Sequence, residues 1–155
     1  MPFHAMLQAV PREIVLINPG PEIGPLFVQD VDPVPWGFFA FDGTSCQLHP
    51  NLSGAAAPAR AIFPRMLVGQ SRVLACVMHA GVEAPPVRFL LQLLAEDGRV
   101  VAQATELLLE GGQQAIELVF EPAFGRHHII LQTEIASGFS TNLNAWARWI
   151  NPRLL

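Results

Sequence analysis

The sequence contains no lysine, and its nine basic residues are all arginines scattered along the 155-residue chain. This excludes a Schiff-base lysine, a P-loop phosphate lysine and a lysine general base. A net charge of −4 without a basic cluster argues against nucleic-acid binding. Charged residues make up only 14% of the chain and apolar residues 51%. We therefore expect some apolar surface to meet another subunit, another domain or a ligand.

Cysteines and long apolar runs are also scarce. Cys46 and Cys76 are too few for a metal-binding framework, and we interpret them as buried free thiols, with a disulfide as the alternative. No apolar stretch reaches about 18 residues, so no membrane span is predicted. Residues 1–12 lack the pattern of a secretory signal and are interpreted as an N-terminal arm. We expect one domain over residues 1–155, either cytoplasmic or part of a larger protein.

The clearest structural pattern is a β-hairpin at residues 86–105. Two apolar runs flank Asp97-Gly98, a pair that favours the tight turn of a hairpin. Alternation places Val87, Phe89 and the leucines at 91 and 93 on one face. The opposite face also carries leucines, at positions 90 and 94, so it is expected to be only partly solvated.

Short strand-like segments occupy most of the remaining chain, with glycine or proline between nearly all of them. They are residues 13–17, 26–29, 36–41, 45–49, 59–63, 72–79, 115–120, 128–135 and 146–150. Long helical patterns are absent. With the hairpin, this predicts an all-β fold: a jelly-roll-like β-sandwich of about ten short antiparallel strands.

Two groups of residues are candidates for a metal site. His127 and His128 are adjacent on a strand and point to opposite faces, and with Glu134 they do not reproduce the spacing of a cupin. Asp30, Asp32 and Asp42 lie in the N-terminal loop region and offer oxygen ligands for calcium. The alternative is that these aspartates only form turns. The cofactor prediction is therefore none, or a structural calcium ion.

No catalytic residues are predicted, since Ser71 lacks the glycine pattern of a nucleophile elbow. The tryptophans are stronger candidates for a functional site than any catalytic group. An aromatic face can contact the apolar side of a sugar ring while amides and guanidinium groups hold the hydroxyls. Asn142, Asn144 and Arg148 stand close to Trp146 and Trp149 in the sequence. Trp146 and Trp149 are three residues apart, so in a strand they face opposite ways and at least one is expected in the core.

The order of several short motifs resembles a known family. They are Leu48-His49-Pro50, Ala59-Arg-Ala-Ile-Phe63, Arg88-Phe89 before Asp97-Gly98, Leu131-Gln-Thr133, and Asn144-Ala-Trp146-Ala-Arg-Trp149-Ile-Asn-Pro152. Together they resemble galactose-binding-like jelly-roll domains, in particular the carbohydrate-binding modules of the NPCBM group. The likeness covers residues about 36–153. Asn142 and Asn144 stand where that group is expected to have an acidic residue, so the resemblance bears more on the fold than on the ligand.

We therefore predict a non-catalytic carbohydrate-binding or accessory module with a glycan partner. The predicted ligand-binding residues are Trp36 or Trp146 as the aromatic platform, with His49, Asn144 and Arg148 as polar partners. Two alternatives stay open. One is a structural or assembly module that forms a homo-oligomer or docks a partner domain, and the other is a cupin-like metal-dependent enzyme.

Overall fold

The computed structural model describes residues 13–15, 24–25, 39–41, 45–48, 50, 59–139, 141 and 144–155. These residues form nine strands: β1 Glu13–Val15, β2 Gly24–Pro25, β3 Phe39–Phe41, β4 Ser45–Leu48, β5 Ala59–His79, β6 Val87–Ala95, β7 Val100–Leu108, β8 Gln113–Ile135 and β9 Ala147–Leu154. The all-β prediction is confirmed. In the described part of the chain, no helix has the length and apolar character needed to cross a membrane.

Two long strands organise the fold. β5 and β8 pair antiparallel along their whole length, from Ala59 opposite Thr133 to Met78 opposite Gln113. We expected each to be two short strands, and that expectation is wrong. Pro64 lies inside β5, beyond the three residues that pair with β1. Pro64 pairs with His128 of β8 and has no partner strand on its other side among the described residues, and proline is tolerated at such an edge.

Bends, rather than turns, divide the long strands. The β5–β8 register shifts between Val68 and Arg72, which marks bulges in the pairing. Gly69 (φ 110°) and Gly125 (φ 92°) adopt backbone angles that favour glycine at this point. The first half of β5 therefore pairs in one sheet, β1-β5-β8-β6-β7, and its second half in another, β3-β4-β9-β5-β8. The β1–β5 pair is parallel, whereas the other described pairs are antiparallel.

The two sheets face each other. Phe89 on β6 and Trp149 on β9 are separated by two strands in the sheet order, yet their ring centroids lie 5.6 Å apart at an interplanar angle of 72°. Thr133 Oγ1 on β8 likewise donates to the carbonyl of Leu48 on β4 at 2.7 Å. Such contacts require the continuous sheet to fold back over itself, which confirms the predicted sandwich.

The hairpin at residues 86–105 is present as β6 and β7. Ala95 N–H donates to Arg99 O and Gly98 N–H to Ala95 O, and Gly98 has φ 89°. The predicted inward residues of β6 are fully buried: Val87, Phe89, Leu91 and Leu93. Full burial of each such side chain contributes about 1.5–3 kcal/mol. Leu90 and Leu94 are half-buried on the opposite face, as expected.

The connections between the sheets meet at one end of the sandwich, which we call the loop end. Residues 80–86 join β5 to β6, residues 109–112 join β7 to β8, and residues 136–146 join β8 to β9. The strand ends confirm this grouping, because Val87 lies opposite both Leu108 and Ile135. His79 lies opposite Ala147 on the other sheet. Six strand termini therefore lie at this end, and they bring the three loops close together.

Candidate functional site

Burial alternates along the chain as it enters β9. Ala145, Ala147 and Trp149 are fully buried, whereas Trp146, Arg148 and Ile150 are half-buried. Because neighbouring residues of a strand point to opposite faces, Trp146 and Arg148 share the outer face of their sheet. The prediction that Trp146 and Trp149 face opposite ways is confirmed. Trp149 belongs to the core, and of these two tryptophans Trp146 is the one that keeps contact with solvent.

Backbone hydrogen bonds hold Trp146 at the loop end. Its carbonyl accepts from Ala80 N–H at 2.7 Å, and its own N–H donates to Asn144 O at 2.9 Å. The second bond closes a tight turn in which Asn144 has φ 61°. Asparagine tolerates this left-handed region better than most residues. Asn144 is exposed at this turn, two residues before Trp146.

His79 fixes the neighbouring loop, and sequence reasoning missed it. The ring is fully buried, and its Nδ1 accepts from Gly81 N–H at 3.1 Å. Nε2 must then carry the proton and donates to Pro85 O at 2.8 Å. Gly81 approaches the Asn144 carbonyl so closely that an added Cβ would collide with it. Loop 80–86 therefore packs against the Asn144 turn and is held in place by the His79 ring.

Arg148 is positioned from the neighbouring strand. Its Nη2 donates to Ser45 Oγ at 3.0 Å. Gln47 lies directly opposite Arg148 on β4, and Met78 lies opposite it on β5. Gln47 and Met78 are both half-buried. A planar guanidinium and a side-chain amide therefore stand beside Trp146 on one face. Gln47 was not among the residues predicted from the sequence.

The remaining predicted residues lie outside the described part of the chain. Trp36, His49, Asp30, Asp32 and Asp42 are among them, so their roles, and the calcium site, stay predictions. Leu48 and Pro50, on either side of His49, are both buried.

The thiol of Cys76 is free and half-buried, in agreement with the prediction for that residue. Cys46 has a described backbone in β4, but its side chain is outside the description. The free-thiol interpretation of Cys46 therefore stays a prediction.

The described residues give the cupin-like alternative no support. Among them, no group of three histidine, cysteine or acidic side chains could hold a metal ion. His127 and His128 alternate along β8, and Glu134 lies six residues after His128. Six strand residues span about 20 Å, too far for one coordination sphere.

A groove of about 300 Å³ continues the same outer face away from the loop end. It is lined by Leu74, Ala75, Cys76, Ala115, Ile150, Asn151 and Arg153. The groove forms where β9 bulges: Leu74 and Cys76 lie opposite Arg153 and Ile150, so β9 carries one extra residue there. Asn151, within this bulge, has φ 47°. The groove walls are mostly apolar.

Comparison with known proteins found no matching family and no matching curated protein. Solved structures do match. The module TmCBM61 in complex with beta-1,4-galactotriose is 15% identical with a TM-score of 0.43, over 72% of this chain and 64% of that one. A CBM36 module in complex with calcium and xylotriose is 12% identical with a TM-score of 0.40, over 70% and 76%. A family 6 carbohydrate-binding module is 10% identical with a TM-score of 0.47, over 94% and 98%.

These three structures are carbohydrate-binding modules, the class that the sequence resembles. The chain spans less than two thirds of TmCBM61. All three TM-scores lie below 0.5, so the likenesses assign neither a ligand nor a binding residue to this chain.

Proposed function

We propose that this chain is a non-catalytic carbohydrate-binding module whose site is the strip formed by Asn144, Trp146, Arg148 and Gln47. The observation that carries the proposal is the alternation of residues 145–150, which places Trp149 on a buried face and Trp146 and Arg148 on an outer face. Trp149 lies in the core, whereas Trp146 is held at the surface beside hydrogen-bonding groups.

The chemistry of the strip suits a sugar. A pyranose ring has an apolar face, which an indole can cover, and equatorial hydroxyls, which need donors and acceptors. Arg148 supplies only donors, whereas the amides of Asn144 and Gln47 supply both donors and acceptors. These four residues include no carboxylate pair and no nucleophile with a base, so binding without turnover is the activity that the strip supports.

Isothermal titration calorimetry with soluble xylo-, gluco- and galacto-oligosaccharides tests the proposal. We expect binding to at least one sugar, and Trp146→Ala should weaken it about tenfold or more, as loss of a central aromatic contact does. Phe124→Ala is the matched control because it removes an aromatic side chain that is 71% exposed on the other sheet. Absence of binding across the panel, or equal losses in both variants, would overturn the proposal.

An assembly module is the second candidate, and one observation favours it. Met66, Val68 and Phe124 cluster on the outer face of the β6-containing sheet with 48%, 59% and 71% of their surfaces exposed. Val68 and Phe124 lie directly opposite each other across the β5–β8 pair. Contiguous exposed apolar side chains of this kind are typical of interaction surfaces.

A further inference from the structure

β7 ends the order of its sheet. It pairs with β6 on one side, and no described strand pairs with its other side. Gln103, Thr105 and Leu107, the outer-face residues of β7, are all exposed, Leu107 by 50%. The outer edge of β7 therefore presents a row of backbone donors and acceptors that another extended strand can satisfy.

This edge lacks two of the features that usually block strand addition, lysine and proline. Sheet edges are commonly protected by lysine, proline, bulges or charge. The whole chain has no lysine, and β7 has no proline. From Ala102 to Leu108 its register with β6 is regular, since the irregularity falls earlier, near Val100. Glu106 is the only charged residue of the strand.

The first half of β8 is the comparable edge of the other sheet, and it is better protected. There Glu117 forms an ion pair with Arg72 at 2.8 Å on the outer face. Glu117 belongs to the edge strand and is 44% exposed, so an approaching strand would meet its charge on the outer face, whereas Glu106 of β7 is half-buried on the inner face. The β7 edge offers Gln103 and Thr105 at the equivalent outer positions.

We infer that a second copy of this chain pairs with the β7 edge, antiparallel about a twofold axis at Ala104. In that register Gln103 lies opposite Thr105 of the second copy, and Glu106 lies opposite Ala102. No like charges face each other, so the edge is compatible with itself. The pairing extends each sheet across the twofold axis. It places Leu107 opposite Val101 of the second copy.

Light scattering after size-exclusion chromatography tests this inference on the full chain. We expect a mass of about two chains, and Thr105→Lys should raise the dimer dissociation constant about tenfold or more because it places lysines around the axis. Val119→Lys is the matched control. It replaces a 64% exposed valine on the β8 edge and should leave the dimer intact.

Circular dichroism checks that each variant folds, and Gln103→Lys serves if Thr105→Lys does not. A monomeric mass at every concentration would overturn the inference. So would a dimer that resists the β7 variants, or one that Val119→Lys weakens equally. Sugar titration is a separate readout, so failure of the dimer leaves the proposed function to be judged on its own test.

Discussion

Trp146 and Trp149 lie three residues apart in the sequence but differ in their burial. Trp149 is fully buried, packs edge-on against Phe89, and has an indole N–H with no acceptor among the described residues. Trp146 is half-buried at the start of the strand and is anchored through its backbone to Ala80. The pleat of the strand accounts for this difference, because residues separated by an odd number of positions point to opposite faces of the sheet. A residue type that signals binding in one position is therefore a core residue in another.

The largest expected difference is in stability. Trp149→Ala should lower the free energy of unfolding by about 3–5 kcal/mol, since it removes a large side chain from between the two sheets. Trp146→Ala should lower it by less than about 1 kcal/mol, because its loss opens no cavity in the core. Urea denaturation measures both values. Equal losses would show that the two tryptophans do not play separate roles.

His79 tests whether the support behind Trp146 is distinct from the core. His79→Ala leaves Gly81 N–H and Pro85 O without their ring partners and should reduce stability by about 2–3 kcal/mol. Hydrogen exchange should accelerate at Gly81, while amides near Trp149 keep their protection. His127→Ala is the control, because that ring is half-buried and binds a single carbonyl, that of Gly125. Uniform acceleration in His79→Ala would contradict a local role.

Gly81 and Gly98 allow a smaller, matched comparison. Gly81→Ala drives a Cβ into the carbonyl of Asn144, so we expect a loss of about 1–3 kcal/mol and weaker sugar binding. Gly98→Ala meets nothing within 4 Å and suffers only from its φ of 89°, a strain of about 1–2 kcal/mol. Thermal unfolding and calorimetry measure the pair. If sugar affinity falls equally in both variants, the Asn144 turn has no specific role in the sugar site.

Arg148 should give the smallest effect on stability and still affect the ligand. Arg148→Ala removes a half-buried hydrogen bond to Ser45 and should reduce stability by about 1 kcal/mol or less. Sugar affinity should fall, and Arg148→Lys should restore it only partly, because an ammonium cannot reproduce the planar donor pair. Arg72→Ala is the control on the same sheet. Unchanged sugar affinity in Arg148→Ala would show that the guanidinium does not contribute to the sugar site.

The hairpin, the alternating core positions and the sandwich could be predicted from the sequence because period-2 burial and turn residues are local signals. The continuity of β5 and β8 could not. Pro64, Gly69 and Gly125 read as chain breaks, whereas in the structure they occupy an edge position and two bends.

The site was predicted in part, through Asn144, Trp146 and Arg148. Gln47 and His79 are brought to the site by the order of the strands in the sheet. That order cannot be predicted from a local stretch of sequence. His79 does continue the alternation of Val73, Ala75 and Val77, so its burial was the one signal available.

The indole N–H resonances of the three tryptophans, assigned with Trp→Phe variants, test the central claim most directly. During titration with a sugar that binds, the resonance of Trp146 should shift progressively while that of Trp149, sealed between the sheets, stays in place. A titration that moves Trp149 or Trp36 and leaves Trp146 unchanged, or one in which no sugar moves any indole, would contradict the account.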